Sequence, residues 1–178
     1  MADSVNTEKV PPKLVRARGL DSLDRKILSL LAQDAARSLA RIGNEVGLSA
    51  PAVHERVRRL RASGAIRGTV ALVDGAKVGK ALLAFVHVDT TGWGKTKALM
   101  ALAELPEVEE IHSATGDCCL IMKVRVASSV ALEGLLARLY DVPGVRGTRT
   151  YVALTTHLER PVQADITDAL VDEGPNIK

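Results

Sequence analysis

The sequence predicts an α+β chain in two parts, a small helical bundle followed by a βαββαβ sheet domain. Three observations predict it. Between Asp21 and Gly64, three short segments carry apolar residues at helical spacing, each opened by Asp or Ser. From Leu82 onward, segments of alternating apolar and polar residues take turns with helical ones. Charge is divided as well. Residues 1–80 hold 15 Lys/Arg against 8 Asp/Glu and residues 81–178 hold 9 against 13, so a +7 half is joined to a −4 half.

Residues 1–19 contain Pro11-Pro12, several charges and no periodicity, and read as a mobile basic arm. A first helix starts at Asp21, with Leu23, Ile27, Leu30 and Leu31 on one face. A second runs from a Ser38 cap through Leu39, Ile42 and Val46 to Gly47, placed to close the helix in the left-handed conformation. A third is capped by Ser49 and stopped by Gly64. Ala65–Val73 reads as a short wing strand, which completes a winged helix-turn-helix over 20–73. The Gly- and Lys-containing stretch 74–80 is the expected linker.

The second part is expected over 81–157. Leu82–Val88 reads as strand and Lys95–Leu105 as helix, with Leu99, Leu102 and Ala103 inward. Two strands follow, Glu107–Ala114 and Cys118–Val126, separated by Thr115-Gly116-Asp117. In the second, Leu120, Met122, Val124 and Val126 share one face while Lys123 and Arg125 share the other, the mark of a half-buried antiparallel strand. Ser128–Tyr140 is a helix ended by Pro143-Gly144, and Val145–His157 is the last strand. The order is ferredoxin-like, with both helices on one face and the other face open to a partner. Residues 158–178 read as a loose acidic tail.

Composition narrows the function. Aromatics make up 2% (Phe85, Trp93, Tyr140 and Tyr151), too few for the stacking platforms of a single-strand reader, so duplex DNA is the better target. The N-terminus has no basic segment followed by an apolar run, and no stretch approaches a membrane span, so a cytoplasmic protein is expected. Cys118 and Cys119 are adjacent and lack metal-ligand spacing. His54, His87, His112 and His157 are scattered, and no nucleophile–base pair stands out. Gly92-Trp93-Gly94-Lys95-Thr96 is superficially like a phosphate loop, but the pattern needs a Gly at position 89, which is Asp. The expectation is therefore no enzyme, no cofactor and no metal.

The third helix carries the functional signal. Val53, Val57 and Leu60 form its buried stripe, while Pro51, Ala52, Glu55, Arg58 and Arg59 lie opposite and His54, Arg56 and Arg61 flank the seam. A recognition helix reads base edges with its N-terminal residues and holds phosphates with basic ones. Ser49, Pro51, Ala52 and Glu55 are candidates for base contact, and Arg56, Arg58 and Arg59 for bases or phosphates. Ser38 is placed to offer its backbone N–H to a phosphate.

Residues 21–72 resemble the N-terminal domain of the Lrp/AsnC (feast/famine) family of transcriptional regulators. The matching residues are Leu23-Asp24, Ile27-Leu28, Leu31, Asp34-Ala35, Arg37, Val46-Gly47-Leu48-Ser49, Arg56-Val57, Arg59-Leu60, Gly64 and Ile66. The second half is similar to the family's effector-binding and oligomerisation domain, on His112, Thr115-Gly116-Asp117, Pro143-Gly144-Val145 and Thr150-Tyr151-Val152. The resemblance implies a homodimer joined through the sheets, assembling to an octamer on the nucleoid. It also implies a small amino-acid effector such as alanine or leucine and control of amino-acid metabolism genes. It places the effector at Thr115, Gly116, Asp117 and Cys119, with Thr150, Tyr151 and Val152 from the last strand. One position departs: the family often has a second acid two residues after the first, where this chain has Cys119. An architectural DNA-binding protein with no effector is the alternative.

Overall fold

The computed structural model describes residues 20–91 and 97–165. The expected arm (1–19), the phosphate-loop look-alike (92–96) and the end of the tail (166–178) lie outside the described residues. Two units form, one from 20–70 with 160–165 and the other from 71–159.

The first unit holds α1 (Ser22–Gln33), α2 (Leu39–Val46) and α3 (Ala50–Ala62). Each begins where a side-chain oxygen satisfies an N–H that the first turn leaves without a partner. Asp21 and Asp24 form a reciprocal capping box at α1, Ser38 accepts from the Arg41 N–H, and Ser49 accepts from the Ala52 N–H. Pro51, in the first turn of α3, sits where no intrahelical N–H is needed. Ile27, Ile42, Val53, Val57 and Leu60 interlock as the core, with Leu31, Val46, Leu48 and Ile66 packed around them.

The turn between α2 and α3 is set by two glycines. Gly47 ends α2 at φ 73°, and the Leu48 N–H closes on the Gly43 carbonyl at 2.9 Å. Gly43 is buried against that same turn, and a Cβ there would press into the Leu48 carbonyl oxygen. Gly43→Ala adds about 1 kcal/mol of helix propensity but overpacks backbone against backbone, which costs about 1–3 kcal/mol. The clash should win, and urea unfolding of the first unit should show a net loss.

The expected wing does not form a strand. Ile66 packs on the helices and its N–H reaches the Leu60 carbonyl at 3.1 Å, but residues 67–73 have no strand partner among the described residues. Val70, Leu72 and Val73 are exposed there. A β-propensity run makes a ladder only where a second edge is available.

The second unit contains β1 (Leu82–Thr90), α4 (Lys97–Met100) continued by a 3₁₀ turn (Ala101–Glu104), β2 (Val108–Ser113), β3 (Leu120–Val126), α5 (Ser129–Tyr140) and β4 (Val145–Val152). The sheet is antiparallel in the order β2-β3-β1-β4, the ferredoxin-like arrangement. One face packs Ala84, Val86, Val88, Leu120, Met122 and Val124 against Leu99, Leu102, Leu132, Leu135 and Leu139. Ala103, expected inward, is exposed, because the tighter 3₁₀ turn rotates it off the sheet. The last strand stops at Val152 rather than His157, since beyond Ala153 no ladder bond to β1 follows.

The opposite sheet face is not bare at one end. Arg125 donates to Glu109 at 2.7 Å, and both Lys123 and Arg125 hold Glu159, at 2.5 Å and 2.9 Å. The segment read as a loose acidic tail is thus held to the sheet at Glu159. Within the first unit, Ser29 donates to Asp165 at 2.8 Å and Arg25 to the Ala164 carbonyl at 3.0 Å.

The Lys123 and Arg125 cations leave a pH signature. At Glu109, burial pushes the carboxyl upward, but hydrogen bonds from Arg125 and Lys123 outweigh it and the net shift is down. At Glu159, the Lys123 hydrogen bond leads and the shift is also down. Carboxyls depressed in the folded state stabilise it above their ordinary value of 4.5, and that contribution fades as pH falls through the depressed value. The melting temperature of the second unit should be level from about pH 7 to about pH 5.5 and fall below about 4.5. Glu159→Gln should flatten that acid-side decline in a thermal melt followed by circular dichroism.

Candidate functional site

On α3, burial separates packing from recognition. Val53, Val57 and Leu60 face the core, while Ser49, Pro51, His54, Glu55, Arg58, Arg59 and Arg61 are exposed and Ala52 is half-buried. Ser38 and Ser49 spend an oxygen lone pair on their helix caps, which leaves each hydroxyl hydrogen free to donate outward. The first turn of α3 is a small, shallow surface of serine, proline and alanine, and its next turn is charged.

Arg56 has a different task from the one its charge suggests. Its guanidinium is half-buried and lies 2.7 Å from Asp21 Oδ2 and 2.7 Å from Asp24 Oδ1. It clamps both carboxylates of the α1 capping box and joins α3 to the start of α1. These bonds hold the Asp21 carboxyl below its usual range and raise Arg56 further. Arg56 is therefore engaged in packing, unlike Arg58 and Arg59. Arg58 donates to Glu55 one turn away through two bonds of 2.8 Å and 2.7 Å, both side chains exposed, while Arg59 reaches Asp24 only at 3.7 Å. An exposed pair of this kind is weak and exchanges readily for another partner.

In the second unit, an open cavity of about 490 Å³ lies at one end of the sheet, lined by Asp89, Thr90, Gly116, Asp117, Cys118, Cys119, Arg146 and Gly147. Three of the four loop residues expected there, Gly116, Asp117 and Cys119, are present, whereas Thr115 is an exposed neighbour outside the lining. Thr150, Tyr151 and Val152 do not reach it. They pair with Val86, Phe85 and Ala84, three to five residues further along β4 than Gly147, roughly 10 Å or more at the rise of a strand. Asp89, Thr90, Arg146 and Gly147 complete the lining of the cavity. Sequence reasoning missed these because the β1–β4 register, Asp89 opposite Gly147, appears only once the strands pair.

Arg149 fixes the loop, donating to the Asp117 carbonyl at 2.8 Å and meeting Asp117 Oδ2 at 2.9 Å. Cys119 points its sulfur at the Thr90 carbonyl, 3.8 Å away. Burial, then the Asp117 charge, pushes the Cys118 thiol up, while hydrogen bonding with Thr90 draws the Cys119 thiol down. Among the described residues no helix is long and apolar enough to cross a membrane.

A model of the AsnC-type helix-turn-helix domain matches residues 20–61, and one of the Lrp/AsnC ligand binding domain matches residues 83–163. The chain is 36% identical over 140 residues to the HTH-type transcriptional regulator FL11 of Pyrococcus horikoshii, an alignment covering 79% of this chain and 93% of the relative. It is also 36% identical over 155 residues to the leucine-responsive regulatory protein of Escherichia coli, covering 84% and 91%. Among solved structures, an AsnC family transcriptional regulator from Agrobacterium tumefaciens aligns with TM-score 0.74 at 29% identity, over 79% of this chain and 94% of that one. The Escherichia coli AsnC structure aligns with TM-score 0.73 at 27% identity, over 81% and 98%. Two domains matched in order, and relatives matched over nearly their full length, make this chain a member of the Lrp/AsnC family: a DNA-binding transcriptional regulator, not an enzyme, with a C-terminal ligand-binding domain.

Proposed function

We propose that α3 enters the major groove of duplex DNA, with Ser49, Pro51, Ala52 and Glu55 toward base edges and Arg58 and Arg59 toward phosphates. Ser38 presents the start of α2 to a neighbouring phosphate. The single observation that carries this reading is the division on α3, where the apolar stripe is consumed by the core and the first turn and basic face remain exposed. The small side chains at 49–52 give few base-specific bonds, so DNA shape supplies part of the specificity.

The cavity is the proposed seat of a small amino acid. A zwitterion needs an anion for its ammonium and a cation for its carboxylate, and the lining offers Asp89 and Asp117 with Arg146. Asp89 supplies the second carboxylate that Cys119 does not. Leucine is the first ligand to test, because a relative is named for its response to it; alanine is the second. A homodimer formed through the uncovered sheet face, where Phe85 and Tyr151 are exposed, assembles further on the nucleoid in the cytoplasm, and effector binding shifts that assembly. Two recognition helices in such a dimer meet half-sites about one DNA turn apart, ~34 Å.

Titration calorimetry with a panel of amino acids tests the effector, alongside a gel-shift assay on DNA from the regulator's own upstream region. Asp117→Asn and Arg146→Ala should each weaken effector binding at least about tenfold and leave effector-free DNA binding in place. If no amino acid releases heat or shifts the melting temperature, the architectural role without an effector stands instead.

A further inference from the structure

Folding brings together three metal-ligating side chains that are scattered in sequence. His87 lies on β1, and Asp117 and Cys118 sit in the loop before β3, yet their donor atoms all lie within 4.8 Å of one another. We propose that His87, Asp117 and Cys118 form a binding site for a thiophilic divalent cation of the zinc type.

The donor set is the first argument. Imidazole, carboxylate and thiolate are ligands that zinc accepts in tetrahedral sites, and a thiolate disfavours magnesium and calcium. The second is the state of His87. Its Nδ1 is buried and has no hydrogen-bond partner among the described residues, although buried ring nitrogens are normally satisfied. Tyr151 packs on the ring, centroids 4.9 Å apart, and restricts its rotation. The third is geometry. Bond lengths of ~2.0–2.3 Å place tetrahedral donors roughly 3.3–3.8 Å apart, so closure from the observed spacing needs a movement of only about 1 Å. Asp117 can provide it, since its side chain is exposed and Arg149 keeps hold of its backbone carbonyl at 2.8 Å when the carboxylate turns. Three protein donors leave a fourth position open, and Asp117 and Cys118 also line the cavity. The bound cation pins the β2–β3 loop to β1. Asp117 is shared with the amino-acid reading, as is Cys118 in the cavity lining, but His87 lies outside that lining and the cobalt–thiolate band reports only on the cation, so the two readings fail separately.

Cobalt(II) tests it on the full chain, since a thiolate–cobalt bond gives a near-ultraviolet charge-transfer band that zinc then bleaches. One equivalent per chain should develop the band. Cys118→Ser should abolish it, His87→Gln and Asp117→Asn should each weaken zinc affinity by more than about tenfold, and Cys119→Ser should keep it. Circular dichroism checks that each variant is folded. Should His87→Gln fail that check, the exposed Asp117→Asn decides alone. The proposal is overturned if the native chain shows no band, if the band survives Cys118→Ser, if Cys119→Ser is the variant that loses it, or if Asp117→Asn binds zinc as the native chain does.

Discussion

Replacing Arg58 and Arg59 together by alanine is expected to weaken duplex DNA binding by about a hundredfold near physiological salt, roughly tenfold for each arginine. The fold should be indifferent. Both side chains are exposed, and the Arg58–Glu55 pair is a surface pair. Two lost phosphate contacts should also lower the slope of log affinity against log salt by about 2 × 0.9. A gel-shift series at several salt concentrations reads both quantities, and circular dichroism confirms the melting temperature. Affinity unchanged in the double variant would remove α3 as the recognition element. Glu55→Gln should act in the opposite sense on non-specific DNA, because it frees Arg58 and removes a charge facing the phosphates.

The second large effect is the reverse case, an arginine whose loss is felt in stability first. Arg56→Ala leaves the Asp24 carboxylate, 5% exposed, without its close cation, and an uncompensated buried carboxylate costs about 3 kcal/mol. Arg59 stands 3.7 Å away and recovers part of that interaction, so the melting temperature of the first unit should drop by several degrees rather than collapse. Adding Asp24→Ala to Arg56→Ala should restore some stability, because the stranded charge goes with its partner, though the α1 capping box is lost. DNA binding of Arg56→Ala should fall only in step with the folded fraction seen in urea. A variant as stable as the native chain but poor in DNA binding would return Arg56 to the DNA-contacting set.

Arg56 and Arg58 show where sequence reasoning stops. Two residues apart on one helix, they carry the same charge, and only position relative to another element distinguishes them. The seam residues Val53, Val57 and Leu60 are legible from spacing alone, because one helix face has a fixed period. The partner of a flanking residue is not, since Asp21 and Asp24 meet Arg56 only when α1 and α3 cross. The wing was misread for the same reason. Residues 65–73 have strand propensity, but a strand needs an edge to pair with, and that is a property of the neighbours.

By itself the sequence determined what depends on local chemistry and periodicity. This covers the three caps, the left-handed Gly47, the alternation of Leu120 to Val126 and the order of the sheet elements. Tertiary structure decided what depends on register and close approach. It set Asp89 and Arg146 beside Gly116-Asp117 while leaving Thr150–Val152 further along the strand, and it brought Gly43 against the Leu48 carbonyl in the turn before α3. It also carried His87 to Asp117 and Cys118 across thirty residues of chain. Propensity acts within a few residues, whereas a binding site is assembled from atoms whose distances are fixed only after the strands have paired.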